Sequence, residues 1–183
     1  MISSGDALKS LAIEAALSPQ EEKLEVGQKK QKLFIGIPKE TEFQEQRVAL
    51  VPQSVGLLIA NGHRVVVETN AGKNANFNDN DYSEIGAEIA YDTSEIYKAD
   101  IILKVTPPND NEINMMRHKQ ILFSALQLTV QPKSALKKLM DKKITAIAWD
   151  YIEDEGGSFP IIRSMGEIAG TTSVLIAAEL MSN

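Results

Sequence analysis

Short apolar runs that alternate with amphipathic stretches predict an α/β fold, a three-layer α/β/α sandwich around a mainly parallel sheet. Three observations carry that reading. Val65-Val66-Val67 is a β-branched run with no polar break, as a strand covered on both faces requires. Asn61-Gly62 closes the helical stretch before it, because glycine tolerates the left-handed conformation that ends a helix. Leu33 to Ile37 forms a strand stopped by Pro38, so Lys39, Glu40, Glu42, Glu45 and Arg47 crowd the loop at its carboxyl end. In open α/β sheets that edge is where small molecules bind.

Along the chain, residues 1–32 read as a helical arm. Leu8, Leu11 and Ile13 lie near helical spacing, and Ser18-Pro19-Gln20-Glu21 is a helix start with Ser18 as N-cap, Pro19 at the first helical position and Glu21 closing a capping box. Strands are expected near 33–37, 64–68, 100–105, 120–125 and 144–149, and helices over 52–61, 80–86, 93–98, 109–117, 132–141 and 164–181. The polar turn Glu153 to Phe159, with Gly156-Gly157, precedes the last helix, whose Val174, Leu175, Ala178 and Met181 form an apolar stripe that expects a partner.

The chain of 183 residues is long enough for one domain with a proper core and too short for two full α/β domains. A hydrophobic share of 43% with 24% charged residues is ordinary for a globular protein, and no apolar run is long enough to span a bilayer. A net charge of −6 supplies no basic surplus for phosphates, which disfavours nucleic acid and anionic membranes as partners. The Lys29-Lys30-Lys32 and Lys137-Lys138-Lys142-Lys143 groups read as solvated faces. With no cysteine there is neither disulfide nor thiolate chemistry, and neither His63 nor His118 has metal-ligand spacing to other donors, so no metal site is expected. The first ten residues lack the apolar core of a secretory signal, and the expected location is the cytoplasm.

None of the 11 glycines is separated from another by a single residue, so the G-x-G-x-x-G turn that lets a dinucleotide pyrophosphate approach a helix N-terminus is absent.

Several segments together carry a family resemblance. They are Ile35-Gly36-Ile37-Pro38-Lys39-Glu40 with Arg47-Val48-Ala49-Leu50; Ala71-Gly72 with Phe77, Asp79, Asp81, Tyr82 and Gly86-Ala87; Ala99 to Val105; and Met165-Gly166-Glu167-Ile168-Ala169-Gly170. In order and approximate spacing the chain resembles the N-terminal, substrate-side domain of the alanine dehydrogenase and pyridine nucleotide transhydrogenase family, over roughly Leu33 to Met181. The fold implied is flavodoxin- or Rossmann-like. The resemblance divides the chain into the arm at 1–32, an α/β substrate-side domain at 33–163, and at 164–183 the start of a helix leading to an absent NAD-binding domain, so that the chain reads as an N-terminal fragment or a subunit cut at the domain junction. It implies NAD as cofactor, held mainly by that other domain, and a small 2-oxo or 2-amino acid such as pyruvate or L-alanine as substrate; the arm and the apolar face of the last helix lead to the expectation of a homo-oligomer.

The resemblance also names residues. Lys104 interrupts an apolar strand just before Pro107-Pro108, so its ammonium is expected to emerge at the sheet edge, where the family's lysine binds the substrate's oxo oxygen and carboxylate. Arg47 aligns with the family's carboxylate-binding arginine, a planar fork suited to two parallel hydrogen bonds. Glu45 and Asp150 are candidates for supporting roles behind these two. Where alanine dehydrogenases carry a histidine, this chain has Gln127, which hydrogen-bonds but transfers no proton at neutral pH. The readings are then the substrate-side domain of an alanine dehydrogenase, the matching domain of a transhydrogenase α subunit, or a non-catalytic module that binds a small carboxylate or a partner helix.

Overall fold

The computed structural model describes residues 32–182, so the helical arm expected before Lys32 lies outside the described residues. Six strands, β1 (Phe34–Ile37), β2 (Arg64–Glu68), β3 (Glu88–Ala90), β4 (Ile101–Leu103), β5 (Ile121–Ser124) and β6 (Thr145–Ala148), form one sheet in the order β3-β2-β1-β4-β5-β6. Every pairing is parallel. Of the two common doubly wound strand orders this is the dinucleotide-fold one rather than that of flavodoxin.

Helices α1 (Pro52–Ala60), α2 (Asp79–Ser83), α3 (Thr93–Ile96), α4 (Asp110–Met115), α5 (Lys133–Asp141) and α6 (Pro160–Ser182) fall between and after the strands. Strand side chains alternate between faces, and the cores follow that alternation. Ile35, Ile37, Val65 and Val67 pack with Val55 of α1 and Tyr82 of α2. Val66, Ile102 and Leu122 pack on the other face with Ile96 of α3, Ile113 of α4 and Leu139 of α5. The three layers expected from the strand pattern are present.

Local sequence accounts for most element ends. Pro52 opens α1, and Gly62 beyond its end has φ +87°. Asn78 with Asp81 and Asn109 with Glu112 are reciprocal capping boxes at α2 and α4. Helix α6 starts at Pro160, four residues before the expected position, because proline is well placed at a first helical position. Strand β3 is absent from the expected set: it has three residues, and its exposed Glu88 pairs with Arg64 of β2 at 2.6 Å. Lys142 is no solvated lysine. Its ammonium donates to the carbonyls of Ile113, Asn114 and Met116 and so closes the end of α4.

At Gly36 a Cβ would come within 2.6 Å of the Ile96 carbonyl oxygen, so the missing side chain serves helix-to-sheet packing on the α3 side. No helix among the described residues is long and apolar enough to cross a membrane.

Candidate functional site

The chain leaves β1 toward β2 and leaves β4 toward β5, in opposite directions along the sheet, so a crevice opens between the carboxyl ends of β1 and β4. Glu40 follows β1; Lys104, Val105 and Thr106 follow β4. These groups meet. One Glu40 oxygen accepts from the Val105 amide at 2.6 Å, and the other accepts from the Thr106 hydroxyl at 2.5 Å and the Lys104 ammonium at 3.2 Å. Lys104 Nζ also donates to Glu112 of α4 at 2.9 Å.

The expectation that the Lys104 ammonium emerges at the sheet edge is not met. Its side chain is 0% exposed, and those of Glu40 and Glu112 are 4% and 5% exposed. Alternation along β4 explains the direction: Leu103 packs toward the α1 face while Ile102 packs toward α3, and Lys104 follows Ile102 into the α4 side, where Glu112 waits. Glu112 is held by its capping box, its second oxygen accepting from the Asn109 amide at 2.8 Å. The Asn-x-x-Glu spacing at 109–112 was the sequence signal that could have located this carboxylate. Burial first, then the charges of Glu112, Glu68 and Glu40, push the ionisation of the neighbouring Tyr97 hydroxyl far upward, so it stays neutral.

On the opposite side of the sheet end lies a cavity of about 240 Å³. Its walls are apolar, from Val48 and Leu50 of the first loop, Leu103, Val105 and Phe123 of the sheet edge, and Ile161 and Met165 of α6, and Arg47 brings a guanidinium to it. Lys104 reaches this wall only through its main chain, since its side chain has no exposed surface. Arg47 is half-exposed and gripped by Glu45, with Nε donating at 2.8 Å and Nη2 at 2.6 Å. That ion pair lowers the Glu45 carboxyl below its ordinary range and raises Arg47. Among the described residues Nη1 has only the Met165 sulfur, at 4.0 Å and itself part of the cavity wall, so the far corner of the fork points to the cavity. Glu45 therefore braces Arg47 and has no bond to Lys104.

Gln127 and Asp150 stand elsewhere, in a shallow depression with Val130, Tyr151 and Phe159. Gln127 is exposed with φ +44°, and the Asp150 carboxylate accepts from the Leu126 and Gln127 amides at 3.1 Å, which fixes the turn after β5. Trp149 is half-buried and lines the Arg47 cavity. Among the described residues no group of three His, Cys, Asp or Glu side chains is placed to hold a metal ion.

The Glu40 carboxylate stands at the crevice and takes the Val105 amide, and its charge would repel a phosphate placed beside it.

A family model described as "Alanine dehydrogenase/PNT, N-terminal domain" matches residues 36–169. The chain is 40% identical over 149 residues to an alanine dehydrogenase of Bacillus subtilis (strain 168), an alignment covering 81% of this chain and 39% of that protein. Among solved structures, an L-alanine dehydrogenase superposes with a TM-score of 0.75 at 37% identity, over 78% of this chain and 39% of that one. A transhydrogenase from Sinorhizobium meliloti gives 0.58 at 30% identity, over 63% and 33%. The chain thus spans about two fifths of the length of the curated relatives it matches. With the family model matched over residues 36–169 and the relatives alike in sequence and in fold, the chain belongs to the alanine dehydrogenase/pyridine nucleotide transhydrogenase N-terminal domain family.

Proposed function

We propose that this chain is the substrate-side domain of an NAD-dependent oxidoreductase of the alanine dehydrogenase type, interconverting L-alanine with pyruvate and ammonia, and that Arg47 holds the substrate carboxylate. The observation that carries the reading is the Arg47 guanidinium at a 240 Å³ cavity on the carboxyl edge of the sheet, in a chain 40% identical to an alanine dehydrogenase. Glu45 holds one edge of the fork and leaves Nη1 toward the cavity, so a carboxylate would meet a cation already oriented. Apolar walls exclude water and strengthen that contact. The cofactor belongs to a nucleotide-binding domain acting with this one, because the 183 residues hold no G-x-G-x-x-G turn to receive its pyrophosphate. The same reading places the protein in the cytoplasm as a homo-oligomer.

The test is NADH oxidation with pyruvate and ammonium by the full-length protein. Turnover is expected, and Arg47→Lys should raise KM for pyruvate by about tenfold to a hundredfold, since a lysine cannot make the bidentate contact. No turnover with these substrates overturns the reading.

A second reading, the transhydrogenase domain, is favoured by one specific observation. Among the described residues no side chain able to transfer a proton at neutral pH faces the Arg47 cavity: Lys104 is turned away and Gln127 lies in another depression. Hydride passing between two nucleotides needs no such group. NADH oxidation by an NADP analogue alone, without response to pyruvate, would select it.

A further inference from the structure

We propose that Lys104 is a positioning residue and not a substrate ligand: with Glu40 and Glu112 it forms a buried clamp that fixes the loop carrying Arg47 to the end of β4. Three observations support it. The ammonium has two carboxylate partners and no exposed surface, so reaching a substrate would leave two buried carboxylates facing each other. Its side chain leaves the sheet on the face opposite Leu103, whose side chain belongs to the cavity wall. And Glu40 collects the amide of Val105 and the hydroxyl of Thr106 as well as Lys104, which is the bonding of a structural joint rather than of a poised acid or base.

The clamp matters for Arg47 because of how sparsely the loop is held. Next to Glu40, Lys39 donates its amide to Glu68 at 2.8 Å, and Thr41 accepts from Asn109 at 3.1 Å. The next hydrogen bond to the body of the domain is at Leu50, whose carbonyl accepts from the Tyr82 hydroxyl at 2.8 Å, and Val48 and Ala49 pack against the core beside it. Between them Phe43 is 84% exposed, and among the described residues Arg47 has Glu45 as its one ion-pair partner. Where the loop leaves the sheet is therefore set at Glu40, and a shift there carries Arg47 with it. The division of labour rests on the oxidoreductase reading; the clamp itself does not.

The experiment compares Lys104→Met, Glu40→Gln and the double variant in the full-length protein, by amide hydrogen exchange and by steady-state kinetics with pyruvate. The clamp predicts that each single variant speeds exchange at Val105 and Thr106 by about tenfold and raises KM by about tenfold with kcat within about twofold, and that the double variant is no worse than the poorer single one. A Lys104→Met variant that loses kcat while Glu40→Gln keeps wild-type exchange and KM would overturn it and return Lys104 to the substrate. Should Lys104→Met not fold, Glu40→Gln decides alone, because it keeps the side chain's shape. If the protein turns over neither substrate, the functional reading fails while the exchange comparison still decides the clamp.

Discussion

Ile37 of β1 and Ile147 of β6 point to the same face of the sheet, yet the first is 0% exposed and the second 42% exposed. The half built from β3, β2, β1 and β4 is covered on that face by α1 and α2. Beside it, Phe123 of β5 lines the Arg47 cavity, and Thr145 and Ile147 of β6 face solvent. The difference teaches where binding can occur. Parallel pairing is the same throughout, but the Arg47 cavity opens where that cover ends, between Leu103 of β4 and Phe123 of β5, because a ligand site needs apolar surface beside a charged side chain. Helix α6 extends from this half with Ile168, Val174, Leu175 and Met181 between 63% and 88% exposed, an apolar surface of the kind the stripe in the sequence anticipated.

The same substitution at the two isoleucines should separate the halves most widely. Ile37→Ala is expected to cost about 2–5 kcal/mol in urea unfolding, because it leaves a cavity between packed layers. Ile147→Ala should cost under about 1 kcal/mol, as it removes area that water already reaches. Equal costs would mean that β6 is covered in the folded protein in solution. Gly36→Ala probes the packing of the covered half on its other face, where the added methyl meets the Ile96 carbonyl at 2.6 Å. A loss of about 1–3 kcal/mol is expected, read from the same unfolding midpoints.

Tyr82→Phe should cost about 1 kcal/mol at neutral pH, for the hydrogen bond to Leu50. Its larger signature is alkaline. Burial raises the Tyr82 hydroxyl from the ordinary 10.0 to about 12. Between those values the unfolded chain has lost a proton that the folded one keeps, so stability falls with rising pH by about 1.4 kcal/mol per unit from this group. The phenylalanine variant should show a shallower decline over that window in pH-dependent urea melts, the remainder coming from Tyr97. An unchanged slope would show that Tyr82 is not sealed under the loop.

Much of the fold was legible because it depends on neighbours in sequence. Strand β2 is a β-branched run at 64–68, and α1 is bounded by Pro52 and Asn61-Gly62; both were placed from pattern alone. Strand β3 was not, since three residues of Glu-Ile-Ala carry too little periodicity to separate from a turn. The site was legible as a loop and a set of residue types. Arg47 stands at a cavity on the expected edge, whereas Gln127 and Asp150 support a different turn.

The sequence by itself determined the alternation of strands and helices, the caps that end them, the charged loop after β1 and the family, because each is written in runs of adjacent residues and their spacing. Tertiary structure decided which charges meet. Glu40 and Lys104 are 64 residues apart, and the direction of one side chain at the end of β4, set by strand alternation and by a carboxylate capping α4, placed an ammonium expected at the sheet edge among buried carboxylates. A lysine carries the same charge in either place; burial and its partners determine what that charge can do.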